Sequence, residues 1–362
     1  MNDQKTLLDL MNSELQNLSV SGKFSKLERF IKSDKEAQAF ILDILKDDSI
    51  FSPAEKNLSH TRIYSVTQAR ARHTAITFLM GLVFSKFENI YYNIHSVIAK
   101  EEKANQKLWL LTSLYHDIGY YSDYLRSGDL DYNSTFNNRL FEDGEIPFEN
   151  NDFSKKYPCV FSYTYQEILQ YDIYSRDYHR ERGDEERVDH GILGGQIAFD
   201  KLVKASKRGY NYIDFVQAKA VCMTIAQHNI FKSQNVEDDR RYLEFGLERL
   251  LSFSDFRISR KNVLLSMLSL IDTIECVKRF SKSDDRSSYF ETLTVLSSIK
   301  ANVTFEYIEL DFSELYKRCS DDVKQSKYQN HIRAIESLRH WTAFNVDKNS
   351  EETVLKIALD KN

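Results

Sequence analysis

Four histidines and two aspartates stand where a metal site could be assembled from separate helices: His73, His116 with its neighbour Asp117, His190, His228 and Asp272. The strongest local signal is LYHDIGYY, in which His116 and Asp117 sit near the end of an apolar run. A buried imidazole beside a buried carboxylate is costly unless each has a partner, and a metal cation satisfies both. An HD pair alone is equally what a satisfied core histidine beside a helix cap looks like, so the weight comes from its company. His73 lies within RARHTAITFLMGLVF, and His190 opens HGILGGQIAFDKL, where Gly191, Gly194 and Gly195 allow backbones to approach closely. His228 ends AVCMTIAQH, and Asp272 is the lone aspartate of LLSMLSLIDTIECVKRF. An aspartate in the middle of so apolar a helix needs a partner. Imidazoles and carboxylates together suit a pair of divalent ions such as Mn, Fe, Zn or Mg, the nitrogen ligands disfavouring calcium. Two ions about 3.5–4 Å apart can activate a water and hold the attacking and leaving oxygens of a phosphoryl centre.

The order H…HD…H…H…D, each on its own helix, resembles the HD superfamily of metal-dependent phosphohydrolases, and the phrases LYHDIGYY, DHGILGGQIAF and LSLIDTIECVKRF resemble its local motifs. The resemblance covers roughly Ala71 to Phe280. It implies an all-helical core in which His73, His116, Asp117 and Asp272 bind one metal. His190 and His228 match those members that hold a second metal, with Asp117 bridging. It further implies a phosphohydrolase in which His116 and Asp117 are central to catalysis, acting on a phosphomonoester or phosphodiester, a nucleotide or signalling nucleotide above all. Three other readings stay open: an HD-type nuclease, a di-iron oxygenase of the same superfamily, and a binding module that keeps the ligands without turnover.

His60 and His95 are rivals to His73, but neither is followed by so clear an amphipathic helix; His179, His331 and His340 have no matching context. Lys278 and Arg279 are candidate substrate contacts. Arg279 is seven positions after Asp272, two turns along the same helix face and so roughly 10 Å away. A solvated basic helix end is the plain alternative for both. Arg126, Arg180, Arg182 and Arg187 flank a tyrosine-rich stretch where guanidinium forks and aromatic faces could grip phosphate and base.

The elements that must position these residues are mainly helical. Only 3 Pro and 11 Gly occur in 362 residues, a scarcity of turn-formers that disfavours an all-β fold. With 42% hydrophobic residues, 23 Phe and 21 Tyr there is ample material for a core. Helical spacing marks two helices between Lys5 and about Lys46, a helix start at Ser52-Pro53, and helices over Ala71–Phe87, Lys107–Ile118, Val188–Ala205, Ile213–His228, Ser259–Phe280 and Ser313–Trp341. Val303–Leu310 and Val354–Leu359 read as strands of a small β element. The expected fold is therefore an HD-type helical core with a tyrosine-rich insertion and a small C-terminal α/β appendage. The expected division is an N-terminal helical segment (1–50), a metal-binding domain (51–296, insertion about 120–187) and a C-terminal subdomain (297–362). Both ends of the insertion are tied to candidate ligands, which predicts that it lies beside the metal site as a cover.

A net charge of −5 gives no global basic field for a long polyanion, so a small phosphorylated substrate is expected over nucleic acid. The cysteines Cys159, Cys222, Cys276 and Cys319 form no CxxC pair, against a thiolate zinc site or disulfide framework. The longest apolar run, Val263–Ile271, is too short to span a bilayer, and MNDQKTLLDL does not read as a secretory signal. The expectation is a cytoplasmic protein without membrane association.

Overall fold

The computed structural model describes residues 4–18, 23–44, 71–87, 102–117, 263–280, 290–341 and 344–359, with the single positions 190, 191, 194, 195, 198, 217, 221, 222, 224, 225 and 228. These residues are mostly helical, with one small antiparallel sheet. They fall into two units: one holds Met1–Ile50, Gln68–Asn93 and Leu270–Asn362, the other Phe51–Thr67 and Ile94–Ser269. Ser52-Pro53, the insertion 120–187, the four arginines that flank it, His60, His95, His179 and Cys159 lie outside the described residues, as does the side chain of His340.

In the first unit the sheet has strand order β1-β2-β3-β5-β4, with β1 at Lys5–Thr6, β2 at Lys300–Val303, β3 at Tyr307–Asp311, β4 at Phe344–Lys348 and β5 at Val354–Leu359. All four pairings are antiparallel. The expected strand at Val354–Leu359 is present. The one expected over Val303–Leu310 is present as β3, paired with β5 as expected of one β element, but it starts only at Tyr307, because Thr304 turns the chain after β2: its Oγ1 accepts from the amides of Glu306 at 3.2 Å and Tyr307 at 3.0 Å. β1 pairs with β2, and the Leu7 amide donates to the Ile299 carbonyl at 2.8 Å. The segments 1–50 and 297–362, expected as separate parts, therefore share one sheet.

Directly after β1, Thr6 and Asp9 form a reciprocal cap that starts helix Leu7–Gln16. That helix buries Leu7, Met11 and Leu15, and helix Asp34–Ile44 buries Ala37, Phe40, Ile41 and Ile44. Both pack on helix Ala71–Phe84, in which every residue but Arg72 is buried. Arg72 is anchored instead, its amide donating to Asp34 Oδ1 at 3.0 Å and its guanidinium lying 3.4 Å from Asp34 Oδ2. His73, on the next residue, is thereby fixed in the middle of packed apolar surface.

Two expected long helices are interrupted. The stretch Ser313–Trp341 divides into Ser313–Arg318, Asp322–Glu336 and Leu338–Trp341; Asp321 starts the second piece, its Oδ1 accepting from the Lys324 amide at 2.9 Å. The stretch Ser259–Phe280 divides into Val263–Ile274 and Val277–Phe280, with Glu275 and Cys276 between them. His331, on Asp322–Glu336, is fully buried and edge-on to Phe280 and Phe312, ring centroids 5.8 and 5.9 Å away. Neither of its ring nitrogens has a hydrogen-bond partner among the described residues.

In the second unit helix Glu102–Tyr115 ends just before His116 and Asp117, and its residues from Leu108 to Tyr115 are buried. Its polar members are satisfied locally, Thr112 Oγ1 donating to the Leu108 carbonyl and Ser113 Oγ to that of Trp109, both at 2.8 Å. Positions 190, 191, 194, 195 and 198 are helical, as are 217, 221, 222, 224 and 225. No helix among the described residues is long and apolar enough to cross a membrane.

Candidate metal centre

In the second unit, Asp117 stands at the end of the buried helix with three histidines around it. Its Oδ1 is 3.4 Å from His190 Nε2 and 3.7 Å from His116 Nε2. His228 completes the group: its ring meets those of His190 and His116 edge-on, centroids 5.1 and 5.6 Å away. Donor atoms of Asp117, His190 and His228 all lie within 4.8 Å of one another. Ligands about 2.0–2.1 Å from a tetrahedral cation stand roughly 3.3 Å apart, close to the Asp117–His190 separation.

The orientation of the rings is set by the backbone. His116 Nδ1 is 2.8 Å from the Ser113 carbonyl, and His228 Nδ1 is 2.6 Å from that of Ile225. A carbonyl only accepts, so each Nδ1 carries the proton and donates, which makes Nε2 the lone-pair nitrogen. This is how a ligand imidazole is held for a metal. The glycine expectation is met at Gly194, where an added Cβ would stand 3.1 Å from the Tyr115 carbonyl and 3.3 Å from that of His116. A residue without a side chain at this position lets the helical backbone at Gly194 come this near to the HD turn without displacing its carbonyls.

In the first unit, His73 and Asp272 meet, Nε2 to Oδ1 at 3.4 Å, both buried. Behind His73 stands Glu275, whose Oε2 accepts from Nδ1 at 3.0 Å. Glu275 is fully buried and also accepts from the amides of Val277 at 2.7 Å and Lys278 at 3.3 Å. Burial pushes its carboxyl up, but the His73 hydrogen bond and the charges of His73 and Lys278 outweigh this and hold it below the usual range. Glu275 is a residue of this site that stands outside the six candidates of the sequence. The signal was present, because the argument from Asp272, an acid in an apolar run, applies equally to an acid three residues on.

Glu275 also corrects the expected placement of Lys278 and Arg279. By capping the amides of Val277 and Lys278 it ends one helix and begins another, so Arg279 does not follow Asp272 along one continuous face. Lys278 turns back instead, its Nζ 2.5 Å from Asp272 Oδ1. Arg279 is placed otherwise: its Nε is buried without a hydrogen-bond partner among the described residues, and its charge acts on His331. The thiols of Cys222, Cys276 and Cys319 are buried and form no disulfide, and burial raises the pKa of all three, that of Cys319 to about 11.

No family model, curated protein or solved structure matches the chain.

Proposed function

We propose that this chain is a dinuclear metal-dependent phosphohydrolase acting on a phosphomonoester or phosphodiester, with a nucleotide or signalling nucleotide as the substrate class. In this reading His73, His116, Asp117 and Asp272 hold one divalent ion, His190 and His228 a second, and Asp117 serves both. The order of these residues in the sequence, as in the HD superfamily, is the reason for joining the two groups into one centre.

The observation that supports the reading most is the setting of Asp117. Histidines that merely filled a core would spend their nitrogens on separate partners. Here His116 and His228 each donate from Nδ1 to a carbonyl three residues back, and Asp117 Oδ1 lies beside the Nε2 atoms of His116 and His190. Ions bound there would supply Lewis acidity, activating a water and stabilising charge that develops on the phosphoryl oxygens. The protein's part is to hold the ring tautomers: the Ser113 and Ile225 carbonyls do so for His116 and His228, and the Glu275 carboxylate does so for His73.

The test is phosphate release from a panel of nucleotides and phosphodiesters by Mn-loaded protein. Turnover that is lost on chelation and in Asp117→Ala is expected. Oxygen consumption by iron-loaded protein would replace this reading with the oxygenase, and cleavage of single-stranded DNA with steep salt dependence would replace it with the nuclease. Tight nucleotide binding without product would leave a silent module.

A further inference from the structure

We propose that Lys278 has two partners in the working protein: it shares the Asp272 carboxylate with the bound cation, and it presents its ammonium to the substrate's phosphoryl oxygens. The inference rests on the metal-centre reading above and adds to it the group that ties metal affinity to anion affinity.

Four contacts close a ring around this corner of the first unit. His73 Nε2 is 3.4 Å from Asp272 Oδ1, and the same oxygen accepts from Lys278 Nζ at 2.5 Å. The Lys278 amide donates to Glu275 Oε2 at 3.3 Å, and that oxygen accepts from His73 Nδ1 at 3.0 Å. Lys278 is thus held at both ends, by its amide and by its ammonium, although nothing in its sequence context required the side chain to fold back toward the acid. A solvated basic helix end would leave the ammonium in water.

The exposures say which way the pair faces. The Asp272 side chain is 2% exposed and that of Lys278 25%, so the outward member of the pair is the lysine. An ammonium has three donors; one is used on Asp272, and the side chain makes no other hydrogen bond among the described residues. Two donors remain for an anion that reaches a cation held by Asp272. A carboxylate oxygen that already accepts from an ammonium is a weaker donor to a metal, and two cations sharing one carboxylate repel. The lysine therefore costs metal affinity while adding anion affinity.

This gives a test in which two affinities move in opposite directions. Calorimetric titration with MnCl2, and of the Mn-loaded protein with inorganic phosphate, is carried out on wild type, Lys278→Met and Lys278→Arg. For Lys278→Met we expect Mn2+ to bind about tenfold more tightly and phosphate about tenfold more weakly, changes of the size that groups behind a metal's ligands produce. Lys278→Arg, which keeps the charge, restores phosphate affinity. A purely structural lysine would weaken both affinities on removal, and a solvated one would change neither; either result overturns the role of Lys278 while leaving the metal centre standing. Absence of Mn2+ binding by wild type would overturn the metal reading itself, and this inference with it.

Discussion

Every histidine of the proposed centre for which Nδ1 has an assigned contact spends that nitrogen on an acceptor behind it: a backbone carbonyl for His116 and His228, the Glu275 carboxylate for His73. The carboxylate is the one of these that mutation can remove. Glu275→Gln keeps the shape and one acceptor oxygen, enough for the Val277 amide, but loses the second oxygen and the charge that support His73, so Mn2+ affinity should fall about 10–100-fold while the fold is retained; calorimetry alongside circular dichroism measures both, and unchanged affinity would remove Glu275 from the site. His331 shows the opposite condition, an imidazole whose ring nitrogens make no well-formed hydrogen bond among the described residues. Burial holds its pKa well below the usual 6.5, the charges of Arg279 and Lys278 act in the same sense, and the Ile274 carbonyl pulls weakly the other way. The unfolded chain therefore takes up a proton below about pH 6.5 that the folded one refuses, and stability falls as the pH drops from there toward the depressed native value. In His331→Phe this part of the acid sensitivity should vanish; a denaturation midpoint with the same pH dependence as wild type below 6.5 would contradict it.

At the scale of elements, the approach of the His190 helix to the HD turn depends on Gly194. The atoms nearest an added methyl are the Ile225 side chain and two backbone carbonyls, and the carbonyls cannot rotate away as a side-chain end can. Gly194→Ala should therefore cost about 1–3 kcal/mol and weaken the metal held by His190 and His228; thermal unfolding and metal content give the measurement, and a wild-type result in both would mean that the helices separate freely. The close approach was legible in the glycines of DHGILGGQ, and the buried helices were legible in their apolar runs. What the sequence did not disclose were the breaks. Thr304, Asp321 and Glu275 each end or start an element by accepting backbone amides through a side chain, and such a choice is made by local hydrogen bonding that hydrophobic spacing does not record. For the same reason Arg279 was expected on a face that Glu275 removes, while Lys278 and not Arg279 reaches Asp272.

At the scale of the whole molecule, the first unit draws on both ends of the chain. β1 is two residues long, yet it seats Leu7 by the amide bond to Ile299 and leads into a helix that packs on β2 and on helix Thr292–Ser297. A fragment of residues 297–362 alone should therefore lack cooperative unfolding, and dispersed amide resonances with a sigmoidal denaturation curve would show that it is an independent subdomain. Such pairing between distant segments is not readable from composition, which suggested a boundary near residue 297, because antiparallel partners need only two matching residues and leave no periodic trace. The central claim concerns the number of metals and the residues that hold them. Metal per chain, measured by elemental analysis on wild type, Asp117→Ala, His190→Ala and His228→Ala, tests it most directly. The account predicts two ions in wild type, none in Asp117→Ala, and one in each histidine variant with most phosphatase activity gone. Unchanged metal content and activity in His190→Ala and His228→Ala would contradict it, and would make those histidines part of the core.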